Sequence, residues 1–304
     1  MKISRIGLLF TGLLISCSGT GLNTKSNLSE IEIWKLSWRL VSSSLDKNYQ
    51  LGEAQLDSLL NIDQAVEAKF IGTGLEILFE LGKRDKIIKI LERQDPKLLE
   101  EICNRELFTT KLSDIGICKS VSKKEIVANK EIQLELIRMY VNDQAVRGHV
   151  MTDIITKYNL DPNSVVNDNT TSVDGPNRNR LKEIIRDMGF PTRELVGKDA
   201  MIGIFFIIQH ADMDKAWQKS QLPNIEEAVR RGDMDGQRYA YLYDRIKINN
   251  GEKQLYGTQF SHVDKATRTA QLADTEDLEN LDSRRRDMGM MPIEMYKRMI
   301  LMTF

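Results

Sequence analysis

The chain has 304 residues, with 43 Lys and Arg against 44 Asp and Glu and a formal net charge of −1. That length holds one large domain or two ordinary ones. The near-neutral balance removes the electrostatic basis for nonspecific nucleic-acid binding, which depends on neutralising phosphates.

Lys2 and Arg5 precede Ile6 to Ser16, an uncharged run rich in Leu, Ile and Phe. It is too short for a permanent membrane span, which needs about 20 apolar residues, and it reads as the apolar centre of a secretory signal. The run ends Leu14-Ile15-Ser16-Cys17, which resembles a bacterial lipobox. The resemblance implies that residues 1–16 are removed and that Cys17 carries lipid, making the membrane a partner. Each buried methylene is worth about 0.8 kcal/mol, so several acyl chains anchor stably. The alternative is an ordinary signal in which Cys17 has no role. Residues 17–27, mostly Gly, Ser, Thr and Asn, read as a flexible tether. No Asp follows Cys17 and no acidic run follows it, so the expected location is the outer membrane, facing the periplasm.

Residues 28–120 read as helical hairpins. Ile31, Trp34, Trp38, Val41 and Leu45 recur at helical spacing after Ser29, a suitable N-cap. Ile71, Leu75 and Leu78 mark a second helix stopped by Gly82, and Lys86 to Arg93 a short third. Asp95-Pro96 reads as N-cap and first turn of a fourth. Cys103 and Cys118 either pair across a loop of about 15 residues or remain buried thiols.

The polar stretch Val121 to Asn129 reads as a boundary, and residues 130–304 as a second region. A helix is expected from Lys130 to Arg147, then a long loop from Asn159 to Asn179 rich in Asn, Asp, Pro, Ser and Thr. Further helices are expected at Arg180 to Met188, Ala200 to Gln209, Asp214 to Gln221, Ile225 to Arg231 and Tyr239 to Arg245. Asn249-Asn250-Gly251, between Ile246-Lys247-Ile248 and Gln254 to Phe260, is the strongest hairpin signal. Leu278 to Met288 and Pro292 to Met302 close the region as a helical pair. The fold class expected is mainly α, with one β-hairpin.

Several stretches of the second region combine chemically able residues. Asp143 and Arg147 share a helix face at i, i+4. His210 follows an apolar helix and precedes Asp212 by two residues, a pattern open to acid–base work, metal ligation or simple helix capping. Asp244-Arg245 ends a helix. Gln254, Tyr256 and Thr258 would alternate on one strand face, with Gln259 on the other. With Gln209-His210-Ala211-Asp212, Gly189-Phe190-Pro191-Thr192 and Tyr256-Gly257-Thr258-Gln259, these stretches make residues 131–304 similar to a bacterial family called domain of unknown function 6624. Phe190 stands where that family usually has Trp. The resemblance implies a domain and a shared site, and no reaction.

Phosphate-binding glycine loops, dinucleotide fingerprints and the Gly-x-Ser-x-Gly elbow are absent from the sequence. His149 and His262 have no ligand spacing, so neither a metal nor another cofactor is expected. Three readings remain. One is an envelope lipoprotein binding a polar ligand or protein partner through Asp143, Arg147, Asp244, Arg245, Gln254, Tyr256, Thr258 and Gln259. Another is an envelope hydrolase with His210 as general acid/base, oriented by Asp212 or Asp143. The last is a structural lipoprotein in which these residues maintain the fold.

Overall fold

The computed structural model describes residues 28–62, 65–121, 125–166 and 168–303. The signal-like segment, the tether and Cys17 lie outside the described residues. Among these residues there are seventeen α-helices and one two-stranded antiparallel sheet. The protein is mainly α with a single hairpin.

The first seven helices are α1 (Glu30–Leu45), α2 (Tyr49–Leu60), α3 (Ala68–Glu80), α4 (Arg84–Leu91), α5 (Pro96–Cys103), α6 (Glu106–Thr109) and α7 (Gly116–Val121). Their local signals are plain. Ser29 and Glu32 form a reciprocal capping box at α1, and Asp95 accepts from the Lys97 and Leu98 amides at α5. Gly82 takes φ +69° after α3, the left-handed conformation that ends helices. Leu40, Leu56, Leu75, Leu78, Ile87, Leu91 and Ile102 meet in one core.

Two features differ from the sequence reading. Helix α2 has little apolar periodicity of its own, and tertiary fit decides it. A side chain at Gly74 would sit 2.4 Å from Leu56, and one at Gly52 would sit 2.5 Å from Ile77. The α1 face turned into the core is Ile33, Ser37 and Leu40, whereas Leu45 is exposed. Trp34, from the expected stripe, donates its indole N–H to the Met290 carbonyl at 2.9 Å, so that stripe reaches towards the C-terminal region. The Cys103 and Cys118 sulfurs are bonded, joining α5 to α7; closing such a loop stabilises by about 3 kcal/mol.

The second region contains α8 (Lys130–Ala145), α9 (Thr152–Lys157), α10 (Thr170–Met188), α11 (Arg193–Val196), α12 (Lys198–Gln209), α13 (Lys215–Ser220), α14 (Leu222–Arg230) and α15 (Gly236–Asn249). Strands β1 (Phe260–Asp264) and β2 (Thr269–Leu272) follow, then α16 (Leu281–Asp287) and α17 (Ile293–Thr303). Leu136, Ile137, Leu181, Ile204, Phe205, Ile208, Ile225 and Leu242 form its core. Gly203 lets α12 lie tightly on α8, since a side chain there would come within 2.7 Å of the Tyr140 Cβ. The two helices run the same way and bring their C-terminal ends together.

The expected loop from Asn159 to Asn179 is largely helix. Asn169 caps α10, and Pro176 lies inside it. Burial of Val173 and Asn177, and the bond from the Asn177 amide to the Met139 carbonyl, outweigh a local composition that disfavours helix. The expected hairpin at Asn249-Asn250-Gly251 is instead the end of α15. Gly251 has φ +74°, and the Glu252 amide closes back on the Lys247 carbonyl, a helix stop using the same residues a tight hairpin would. The actual hairpin pairs Val263 with Ala270 and turns through residues 265–268.

Arg298 bonds to the Ser42 hydroxyl at 2.9 Å and pairs with Asp46, while Lys69 reaches the Gly289 carbonyl. These contacts, with Trp34, seat the first helices against α16 and α17.

Candidate functional site

The joint ends of α8 and α12 bring Asp143 to His210. His210 is the C-cap of α12, and its Nδ1 lies 2.8 Å and 3.0 Å from the two Asp143 oxygens. Asp143 is 1% exposed. It also accepts from the Gln144 amide at 2.8 Å and from Arg147 Nη1 at 3.2 Å. A carboxylate only accepts, so Nδ1 carries the proton and the lone pair of the neutral ring lies on Nε2. Phe206 stacks near the imidazole with 5.8 Å between centroids, and Tyr140 stacks on Phe206 in turn. The His210 side chain is 12% exposed. Among the described residues its Nε2 has no hydrogen-bond partner.

Arg147 ties this pair to α10. Its Nη2 bonds both oxygens of Asp174, at 2.9 Å and 2.8 Å, while Nη1 serves Asp143. Asp212, two residues past His210, makes no bond to it. It pairs with Arg245 through Nε at 3.0 Å and through Nη2, and it accepts from Gln218 and Asn249. Burial pushes the Asp212 carboxyl up, but the Arg245 guanidinium outweighs it and holds the group below its usual range.

Asp244 serves a different purpose. It is fully buried, and its oxygens accept the backbone amides of Leu255 (2.8 Å), Tyr256 (3.0 Å) and Thr258 (2.9 Å). Burial raises its pKa, against the lowering by those amides. Residues 254–259 are therefore an irregular loop wound round a carboxylate, not the expected strand. Gln254 pins this loop. Its side-chain amide donates to the Gln259 and Ala273 carbonyls and to Thr275, and its oxygen accepts the Gln259 amide. Gly257 takes φ +66° within it. Burial pushes the Tyr256 phenol up to about 12; the ring packs edge-on against Tyr239 and Tyr243. Gln259 donates to the Thr258 hydroxyl. Arg285, almost wholly buried, donates to the Tyr256 and Met291 carbonyls.

The candidates thus separate into two groups, linked where Asp244 and Arg245 adjoin on α15. Asp143 and Arg147 surround His210, with Asp212 and Arg245 paired beside them. Asp244, Gln254, Tyr256, Thr258 and Gln259 form a closed knot. Sequence reasoning missed Asp174 and Arg178, which reach their partners only through the fold. Among the described residues no three His, Cys, Asp or Glu side chains converge as a metal site would require.

A groove of about 2110 Å³ runs between the two regions, away from His210. Arg238 lines it, with its guanidinium 5.2 Å from the Phe205 ring centre. Burial lowers the pKa of Arg238, and among the described residues no hydrogen bond or ion pair holds it.

A family model described as "Family of unknown function (DUF6624)" matches residues 130–304. No curated protein and no solved structure matches the chain.

Proposed function

The chain belongs to that family of unknown function, and on this premise we propose that it is a lipid-anchored envelope protein whose His210 is a general acid/base in hydrolysis. The observation that carries the reading is the asymmetry of His210: Nδ1 is held by the buried Asp143, and Nε2 is unused among the described residues. A ring fixed in one tautomer by a buried carboxylate is the arrangement general-base histidines require. Among the described residues no hydroxyl or thiol bonds to Nε2, so water is the nucleophile. Nε2 takes a proton as the water oxygen bonds to an acyl or phosphoryl centre, and returns it to the departing oxygen as that bond breaks. Asp143 orients the ring and offsets the imidazolium charge between these steps, and Arg147 braces Asp143. The envelope location rests on the lipobox-like run ending at Cys17, with outer-membrane anchoring facing the periplasm. The bonded Cys103 and Cys118 favour an oxidising compartment.

The detergent-solubilised full chain is to be assayed on p-nitrophenyl acetate and p-nitrophenyl phosphate beside His210→Gln. Turnover of one ester class, falling by about 10²-fold or more in the variant with its melting temperature kept, is the expected result. Equal turnover in the two proteins, or none on either ester, overturns the hydrolase reading.

The groove favours a second reading, a binding protein, because the Arg238 guanidinium lines it with only the Phe205 ring as side-chain partner among the described residues. In that case Arg238→Ala abolishes ligand-induced stabilisation, and His210→Gln leaves it intact.

A further inference from the structure

Buried polar atoms in folded proteins almost always find partners, so each exception needs a cause. Among the described residues three buried side-chain atoms have none: Trp38 Nε1, Arg178 Nε and Gln209 Oε1. Two of the three flank His210 in the fold. Gln209 immediately precedes it on α12. Arg178 on α10 faces the turn 212–214 that follows it, with Nε 4.0 Å from Asp214 Oδ2.

Arg178 is the more telling. Its side chain is 19% exposed, and its Nε is shielded from water. One helical turn before it, Asp174 is committed to Arg147 through both oxygens. One turn after it, Lys182 bonds Asp214 Oδ2 at 2.6 Å, and Asp214 Oδ1 accepts the Trp217 amide at 3.2 Å. Both of these carboxylates are thus already held by closer donors. Arg178 keeps a planar fork that makes no side-chain hydrogen bond among the described residues, with only the 4.0 Å ion pair to Asp214. Leaving Nε buried without an acceptor is unfavourable. An incoming anion would recover that cost.

We propose that Arg178 is the anion-binding residue of the His210 site and that the ligand carries a carboxylate or phosphate group gripped by its guanidinium. A fork of parallel N–H donors matches two oxygens of either group. The inference rests on the reading of His210 as a working site and adds a substrate class to it: anionic esters or amides rather than neutral ones.

Inorganic phosphate and acetate, titrated separately into the full chain in detergent micelles, distinguish the two anions by calorimetry. Saturable binding of one of them is expected, weakened about tenfold or more in Arg178→Gln and less in Arg178→Lys, which keeps the charge but not the fork. The Arg178 Nε–H resonance of the wild-type chain should shift in step with the calorimetric curve, which tests the contact even where a variant fails to fold. No saturable binding of either anion, an Arg178 resonance unmoved by a bound anion, or affinity unchanged in Arg178→Gln would overturn the proposal. Ester turnover with no Arg178-dependent binding sinks the anion site alone. Arg178-dependent binding with no turnover sinks the hydrolase reading alone.

Discussion

Two buried carboxylates in the C-terminal region, Asp143 and Asp244, are almost equally withdrawn from solvent and are used in opposite ways. Asp244 spends its oxygens on three backbone amides of one loop. Asp143 spends much of its capacity on one side chain, His210, whose far nitrogen has no partner among the described residues. A network whose members are all satisfied within the chain stabilises a shape and has nothing left to offer a ligand. A network that ends on a free, oriented nitrogen has a group available for chemistry. Motif residues from neighbouring stretches of sequence thus divide into a structural knot and a candidate site.

The largest expected effect tests the knot. Asp244→Ala strands the amides of Leu255, Tyr256 and Thr258 in a buried loop, so it should lower unfolding stability by about 3–5 kcal/mol. Urea unfolding measures it. A loss under about 1 kcal/mol would mean that the loop holds without its carboxylate, and the contrast would collapse.

His210→Gln should cost much less, about 1 kcal/mol, because a polar side chain remains near Asp143 and that carboxylate keeps its Gln144 and Arg147 donors. The same urea experiment reads it. A loss comparable to that of Asp244→Ala would make His210 a structural residue and move Asp143 to the other side of the comparison.

The smallest effect is a pH dependence, and its sign differs between two neighbours. Asp212 is held below its usual pKa by Arg245 against burial, so the unfolded chain takes up its proton more readily. Its contribution is present above the unfolded value of about 4 and is lost as pH falls through the lowered folded value. Burial raises Asp244, so its contribution runs the other way. It is full below the unfolded value and is lost as pH rises through the raised folded one. Unfolding free energies of wild type and Asp212→Asn should differ most near pH 7 and draw together as pH falls below about 4. A gap that is constant across that range would show that the Arg245 pair is not what lowers Asp212.

Much of the fold was legible in the sequence because the signals were local. Capping at Ser29 and Asp95, the stop at Gly82 and the apolar run of α12 each depend on residues within a few positions. The misreadings fall where one local signal serves two structures. Asn250-Gly251 permits a positive φ, which both a tight hairpin and a helix stop use. Pro176 and its polar neighbours argue against a helix that Val173 and Asn177 secure by contact with α8. The site was half legible: His210, Asp143 and Arg147 stood out by residue type, whereas Asp174 and Arg178 looked like ordinary members of a polar stretch.

By itself the sequence determined the mainly α class, the helix ends marked by local caps and the residues able to carry charge or protons, since capping, periodicity and side-chain chemistry are properties of short segments. The tertiary structure alone decided which carboxylate meets His210. Asp212 is two residues away and turns to Arg245, while Asp143 is brought from a distant helix because Gly203 lets α12 lie against α8. It also decided that Asp244 is sealed and that the Nε of Arg178 is left without a hydrogen bond. Those outcomes depend on which donors reach which acceptors once the helices are packed, and no spacing along the chain encodes that.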